Sequence, residues 1–214
     1  MSDDVKRVYR SGLRSAQAAD TRRSIVGAAA RSFVEIGYGA TTIDSIAAAA
    51  GVSRKTVFSA VGGKLELLKL ALDWAVAGDD APVAVADRPA VRDLLADDDP
   101  VALLTAWAHV LVEIDVRLAD LFGVLEVAAD ADADARQLLD ESQRDRLAGA
   151  RAVVQRLGHL GALTGGLSRA RAVDVAWFAT DPCLFDRFVR VRGWSVKSFE
   201  EWLARLLVAQ LLEA

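Results

Sequence analysis

The chain reads as an all-α protein in two unequal parts. Hydrophobic residues occupy 53% of its 214 positions and only four prolines occur, and a composition rich in Ala, Leu, Val and Arg favours helices over strands. Apolar residues recur at helical spacing along most of the chain, and strand-like alternation is absent. Glycines, prolines and short polar caps punctuate these stretches at the intervals helices need.

Each helix can be placed from its own signals. Residues 1–20 carry spaced basic residues without apolar periodicity and read as an arm. Asp20 or Thr21 can cap a first helix with Ile25, Ala29, Phe33 and Ile36 on one stripe, ending at Gly37. Thr42 opens a short second helix, with Asp44 in its first turn and Ile46 and Ala47 facing inward. Gly51 closes it, because a tight inter-helix turn calls for a positive φ. Ser53 caps a third helix that points Val57 inward, and Gly62 and Gly63 stop it.

Lys64 opens a fourth helix with Leu65, Leu68, Leu72 and Ala75 on one face and Leu67, Leu70, Ala71 and Trp74 widening it. Two apolar faces imply two neighbours, so this helix joins the small part to the larger one, and the boundary falls at 75/76. Beyond Gly78, Pro82, Pro89, Pro100 and the acidic run Asp97, Asp98, Asp99 mark a loop region. Helical stretches then span roughly 101–129, 134–160, 168–180, 182–192 and 195–213. The Ala/Asp run from Ala128 to Ala135 reads as a solvated corner rather than a metal site.

Several function classes are disfavoured. The longest apolar stretches are broken by His109, Glu113 or Arg205 before reaching the eighteen or so residues of a membrane span. Ser2, Asp3 and Asp4 followed by Lys6, Arg7, Arg10 and Arg14 do not form a secretory signal, and a cytoplasmic location is expected. The single cysteine, Cys183, cannot form an internal disulfide, and no Cys/His cluster accompanies it, so neither a structural metal nor a cofactor is expected. Flanked by Pro182 and Leu184, Cys183 reads as a small buried residue. Two histidines, His109 and His159, without a phosphate-binding glycine loop or a nucleophile elbow, do not assemble into a catalytic site.

Charge divides unevenly. The net charge of −4 conceals residues 1–70 with 11 basic and 6 acidic side chains, against 15 and 24 in residues 71–214. A basic small domain on an acidic body suits a protein that approaches phosphates with one end. Within that basic end, Ala47, Gly51, Val52 and Val57 have the spacing of two closely crossed helices. The outer side of the second helix carries Ser53, Arg54, Lys55, Thr56 and Ser59, able to donate to phosphates and to base edges in a major groove. A solvated surface would carry the same residues.

The run ATTIDSIAAAAGVSRKTVFSAVGGKLELL, residues 40–68, resembles the signature of the TetR family of helix-turn-helix transcriptional regulators, and the likeness covers roughly residues 21–75. The resemblance implies an N-terminal DNA-binding domain followed by a larger helical ligand-binding and dimerisation domain. By position it makes Arg54, Lys55 and Thr56 readers of base edges, with Ser53, Phe58 and Ser59 beside them. Thr42 and Lys64 match the family's backbone contacts, and Thr21 and Arg22 reach the flanking phosphates. The sequence departs from the family pattern in three places: Phe58 stands where tyrosine is usual, Ala60 where a second aromatic is usual, and Val61 where phenylalanine is usual. Either the basic arm contributes more of the affinity, or smaller residues repack the core.

The resemblance further implies a homodimer on a near-palindromic operator, a repressor released by a small hydrophobic effector. The dimer candidates are Val173, Ala176, Phe199, Trp202, Leu203 and Leu206, with Leu207 and Leu211 on the same helix; an intramolecular core would use the same residues. The pocket candidates are Leu103, Trp107, His109, Val110, Leu111, Ile114 and Trp177, for which core packing accounts equally well. The competing assignment is a helical protein-interaction module of the same fold without DNA binding, for which the altered residues around Phe58 are the clue.

Overall fold

The computed structural model describes residues 3–212, with side chains from residue 16 onward. Helix α1 (Asp3–Ala40) is longer than the sequence pattern suggests. Thr21 is no N-cap: its Oγ1 donates to the carbonyl of Gln17 at 2.8 Å, which places it inside a continuing helix. The stretch expected as an arm is helical because it holds no proline, and Ala, Arg and Leu sustain a helix without an apolar stripe. The side chains of Lys6, Arg7, Arg10 and Arg14 lie outside the described residues. Gly37, with φ 82° and ψ 161°, breaks the helical path. Ile25, Ala29 and Phe33 are buried as the pattern requires, whereas Ile36 is 54% exposed, beyond the packed stripe.

Helices α2 (Ile43–Ala50) and α3 (Arg54–Ala60) follow the local signals closely. Thr42 Oγ1 accepts from the Ser45 amide and Ser45 Oγ accepts from the Thr42 amide, each at 3.1 Å. This reciprocal box satisfies two amides that a helix start leaves free. Gly51 sits at φ 68° and ends α2 in the left-handed region. Ser53 Oγ accepts from the Thr56 amide at 3.1 Å and starts α3. Helix α4 (Lys64–Ala77) begins with Glu66 Oε2 accepting from the Gly63 amide at 2.9 Å.

In the larger part, α5 (Pro89–Ala96) occupies a region expected to be a loop. Pro89 stands at its first turn, where a missing N–H costs nothing, and Leu94 anchors it in the core. Helices α6 (Pro100–Ala129) and α7 (Ala133–His159) are capped by Asp99 and Asp132, so the Ala/Asp run contains the cap that turns the chain between them. Then come α8 (Arg169–Ala179), α9 (Pro182–Phe185), continued by a widened turn over Asp186–Val191, and α10 (Val196–Leu211). Among the described residues no strand occurs, and no helix is long and apolar enough to cross a membrane.

Two apolar cores share α6 as a spine. The first gathers Ile25, Phe33, Ile46, Val57, Leu67 and Leu68 from α1–α4 onto Leu118, Leu121, Phe122 and Leu125 of α6 and Leu138 of α7. The second packs Leu103, Leu104 and Trp107 of α6 against Val154 and Leu157 of α7, Ala176 of α8, and Phe199, Leu203 and Leu207 of α10. The small helices therefore rest on the far halves of α6 and α7 rather than on α4 alone. Arg117 of α6 fastens α4 there: its Nε donates to the Ala75 carbonyl at 2.8 Å, satisfying the helix end just before Gly78.

Candidate nucleic-acid interface and the adjoining cavity

Helices α2 and α3 form a rigid pair because their inward sides are fully committed. Ile46, Ala47 and Val57 are buried against α1 and α4. The opposite side of α3 presents Ser53, Arg54, Lys55, Phe58 and Ser59 to solvent, with Thr56 half-buried. Arg54 reaches Asp44 of α2 at 3.4 Å and lies 5.6 Å from the Phe58 ring centre. Both contacts are solvent-exposed and cheap to exchange for a phosphate or a base. Phe58 is 47% exposed, so its ring belongs to this surface and not to the core. Ser59 Oγ donates to the Thr56 carbonyl at 3.1 Å, and the Ser53 and Thr56 hydroxyls lie 2.8 Å apart.

The flanking candidates fall differently. Thr42 is exposed at the α2 N-terminus and already caps it. Lys64 is half-buried: its Nζ donates to the Tyr38 carbonyl at 2.8 Å and sits 4.2 Å from the Tyr38 ring centre, tying the start of α4 to the end of α1. Arg22 is exposed on α1, whereas Thr21 is half-buried.

A cavity of about 1510 Å³ lies between the small helices and the body. Of the pocket candidates, Trp107, Val110, Leu111 and Ile114 line it, together with Leu118 of α6 and Leu70 and Trp74 of α4. Leu103, His109 and Trp177 do not line it. Leu103 is sealed in the second core. His109 points outward, its Nδ1 3.0 Å from Glu200 of α10 and its Nε2 3.6 Å from Glu113. The Trp177 ring packs 5.7 Å from the Arg146 guanidinium, with its indole N–H buried and unpaired.

The cavity contains polar groups that the apolar pattern did not single out. Asp115 of α6 is 4% exposed and lines it, and burial pushes its carboxyl up to about 8 against the opposing pull of Arg146. Asp73, Glu141 and Asp145 line its more open side with Lys69, which pairs with Glu141 at 3.7 Å and Asp73 at 4.0 Å. Burial, then the nearby carboxylates Asp145 and Glu141, raise Asp73 despite Lys69. A signal for Asp115 existed in the sequence: it stands four residues after Leu111 and three before Leu118, an acid within an apolar helical stripe.

The dimer candidates also divide. Ala176, Phe199 and Leu203 are fully buried within one chain, as are Leu207 and Leu211, so these five belong to the subunit's own core and present nothing outward. Val173, Trp202 and Leu206 are half-buried. Cys183 is half-buried with Sγ 3.6 Å from Glu126; burial, then Asp181 and Glu126, push its thiol up to about 12, far from a reactive thiolate.

The site is a helix-turn-helix with an outward polar second helix, resting on a helical body beside an open cavity. Residues 25–71 match the family model described as bacterial regulatory proteins, tetR family. The fold is shared with solved structures. A putative TetR-family transcriptional regulator from Rhodococcus sp. superposes with a TM-score of 0.68 at 16% identity, covering 90% of this chain and 99% of that one. SmeT in its triclosan complex gives 0.69 at 22%, covering 90% and 92%. NalD of Pseudomonas aeruginosa, the secondary repressor of the MexAB-OprM multidrug efflux pump, gives 0.61 at 20%, covering 91% and 98%. No curated protein matches the chain.

Proposed function

We propose that the protein is a sequence-specific DNA-binding transcriptional regulator, a homodimeric repressor whose hold on a near-palindromic operator is released by a small, largely apolar effector. The observation that carries this reading is the outward polar side of α3, held by a buried Val57 and two reciprocal or side-chain caps. Arg54 and Lys55 read base edges, Thr56 and Ser59 support them, and Ser53, Thr42 and Lys64 lie against the backbone. A two-fold dimer would set two such helices one DNA turn apart, roughly 34–36 Å. The outer sides of α8 and α10, with Val173, Trp202 and Leu206 half-buried and Phe178 exposed, are the proposed dimer face.

Effector control rests on the position of the cavity. Its walls include Trp74 and Val76 of α4 and Thr56 and Ser59 of α3, so a ligand occupying it touches the reading helix and its support together. A ligand favouring one placement of α4 shifts the balance between DNA-competent and released states by its difference in affinity for the two. The test is selection of bound duplexes from a random library with the full-length chain. Enrichment of a palindrome is expected; recovery of none would favour a helical interaction module on the same fold.

A further inference from the structure

We propose that the cavity recognises a hydrophobic amine, whose apolar body lies along α6 and whose protonated nitrogen donates to the carboxylate of Asp115 after entering past Asp73, Glu141 and Asp145. This rests on the reading of the cavity as the effector site, and it specifies the chemistry of the ligand.

The first support is that Asp115 lacks a partner. It is 4% exposed and faces the cavity, and among the described residues no hydrogen-bond donor acts on it. Buried carboxyls are ordinarily paired or hydrogen-bonded. Leu111 and Leu118 on the same stripe are apolar, so Asp115 interrupts an otherwise apolar line.

The one cation acting on it is already committed. Arg146 donates through Nε to Thr180 Oγ1 at 3.2 Å and places Nη2 3.2 Å from Asp181. Its guanidinium lies 5.5 Å from the Phe122 ring centre and 5.7 Å from that of Trp177. Nη2 does not reach hydrogen-bond geometry with Asp181, so the guanidinium keeps N–H donors that an anionic ligand could use. That ligand would have to lie beside Asp145 and Asp181, whose carboxylates repel it.

The third support is the charge along the walls. Asp73, Asp79, Asp80, Glu141 and Asp145 outnumber Arg22, Lys69 and Arg146, and Lys69 is engaged by two of these acids. A cation is drawn inward by this surplus, and the apolar walls of Trp107, Leu111, Ile114 and Leu118 receive the rest of the ligand. The step is a proton exchange and an ion pairing. Asp115 is held at about 8 by burial, opposed by Arg146 of α7 and reinforced by Asp181 ahead of α9. At pH 7 the arriving ammonium therefore displaces the carboxyl proton to solvent and takes its place.

The experiment is titration of the full-length protein with decylamine, decan-1-ol and decanoate, three ligands with equal chain length and different head groups. Binding is followed by tryptophan fluorescence, because Trp74 and Trp107 line the cavity. Decylamine is expected to bind at least about tenfold more tightly than either analogue. Asp115→Asn should lose on the order of a hundredfold for decylamine, the scale expected when one partner of a buried ion pair is removed, while leaving decan-1-ol within about twofold; melting of the variant confirms that it folds. Equal or tighter binding of decanoate or decan-1-ol, an undiminished amine preference in Asp115→Asn, or no binding of decylamine would each overturn the proposal. DNA release is read separately. Tight amine binding that leaves the operator occupied would uphold the ligand chemistry and refute effector control, whereas operator binding without amine preference would refute the ligand chemistry and leave DNA binding standing.

Discussion

Asp115→Asn isolates the cost of an acid placed in an apolar cavity. In the folded chain its carboxyl is held at about 8, against an ordinary value of 3.8. Well below 3.8 the folded and unfolded chains both carry the proton, and the acid costs nothing through ionisation. As pH rises the unfolded chain releases the proton while the folded chain keeps it, so stability falls by about 1.4 kcal/mol per pH unit until the folded value is passed. At pH 7, about three units above the ordinary value, the penalty reaches on the order of 4 kcal/mol, an upper figure because water in the cavity relieves part of it. Asparagine keeps the shape and cannot ionise. For a chain of this size each kcal/mol moves the melting temperature by about 2–4 °C, so the variant should gain on the order of 10 °C over the parent at pH 7. Calorimetry at equal protein concentration from pH 4.5 to 7.5, without ligand, should show a gap that opens steadily with pH. Two parallel melting curves, offset by the same amount at every pH, would refute the reasoning.

The remaining predictions concern the interface and its supports. Arg54→Ala should cost about 1–3 kcal/mol on a selected duplex and much less on a scrambled one, measured by fluorescence anisotropy; equal losses on both would exclude base reading. Lys64→Ala should weaken both duplexes alike and, because Nζ also holds the Tyr38 carbonyl at 2.8 Å, lower stability by about 1 kcal/mol in urea unfolding; an unaltered midpoint would argue against that tether. Gly51→Ala meets no atom within 4 Å of the added carbon, so its cost is that of φ 68° alone, about 1–2 kcal/mol; a neutral result would mean the turn has moved. Cys183 should react with a maleimide at pH 8 far more slowly than a free thiol, and rapid labelling would contradict its acidic, half-buried setting.

The small domain was legible because its determinants are local. Thr42, Gly51 and Ser53 each act within a few residues of themselves, and caps and turns follow from such short-range chemistry. The start of α1 was not legible, since a helix sustained by propensity alone leaves no stripe to read; α5 was missed because Pro89 marks a loop and a first helical turn equally well.

The cavity and dimer residues depend on which face of a helix meets which neighbour, and residue type does not encode that. Leu103 and Leu111 are the same amino acid on one helix, yet one is sealed in the core and the other lines the cavity. Phe199, Leu203, Leu207 and Leu211 form a four-residue repeat that is the buried stripe of α10, leaving Trp202 and Leu206 beside it as the outward-leaning residues. His109, an isolated polar residue in an apolar helix, marks the side of α6 that turns toward solvent and Glu200. Asp115 is the informative exception, because an acid within an apolar stripe is visible in the sequence alone.

Placement of α3 against DNA can be measured by photo-crosslinking. A benzophenone amino acid is introduced at Lys55, on the outer side of α3, and separately at His109, on the far side of α6. With the selected duplex, the probe at position 55 should crosslink to the DNA and the probe at position 109 should not. Efficient binding of the duplex without any crosslink from position 55 would mean that another surface holds the DNA.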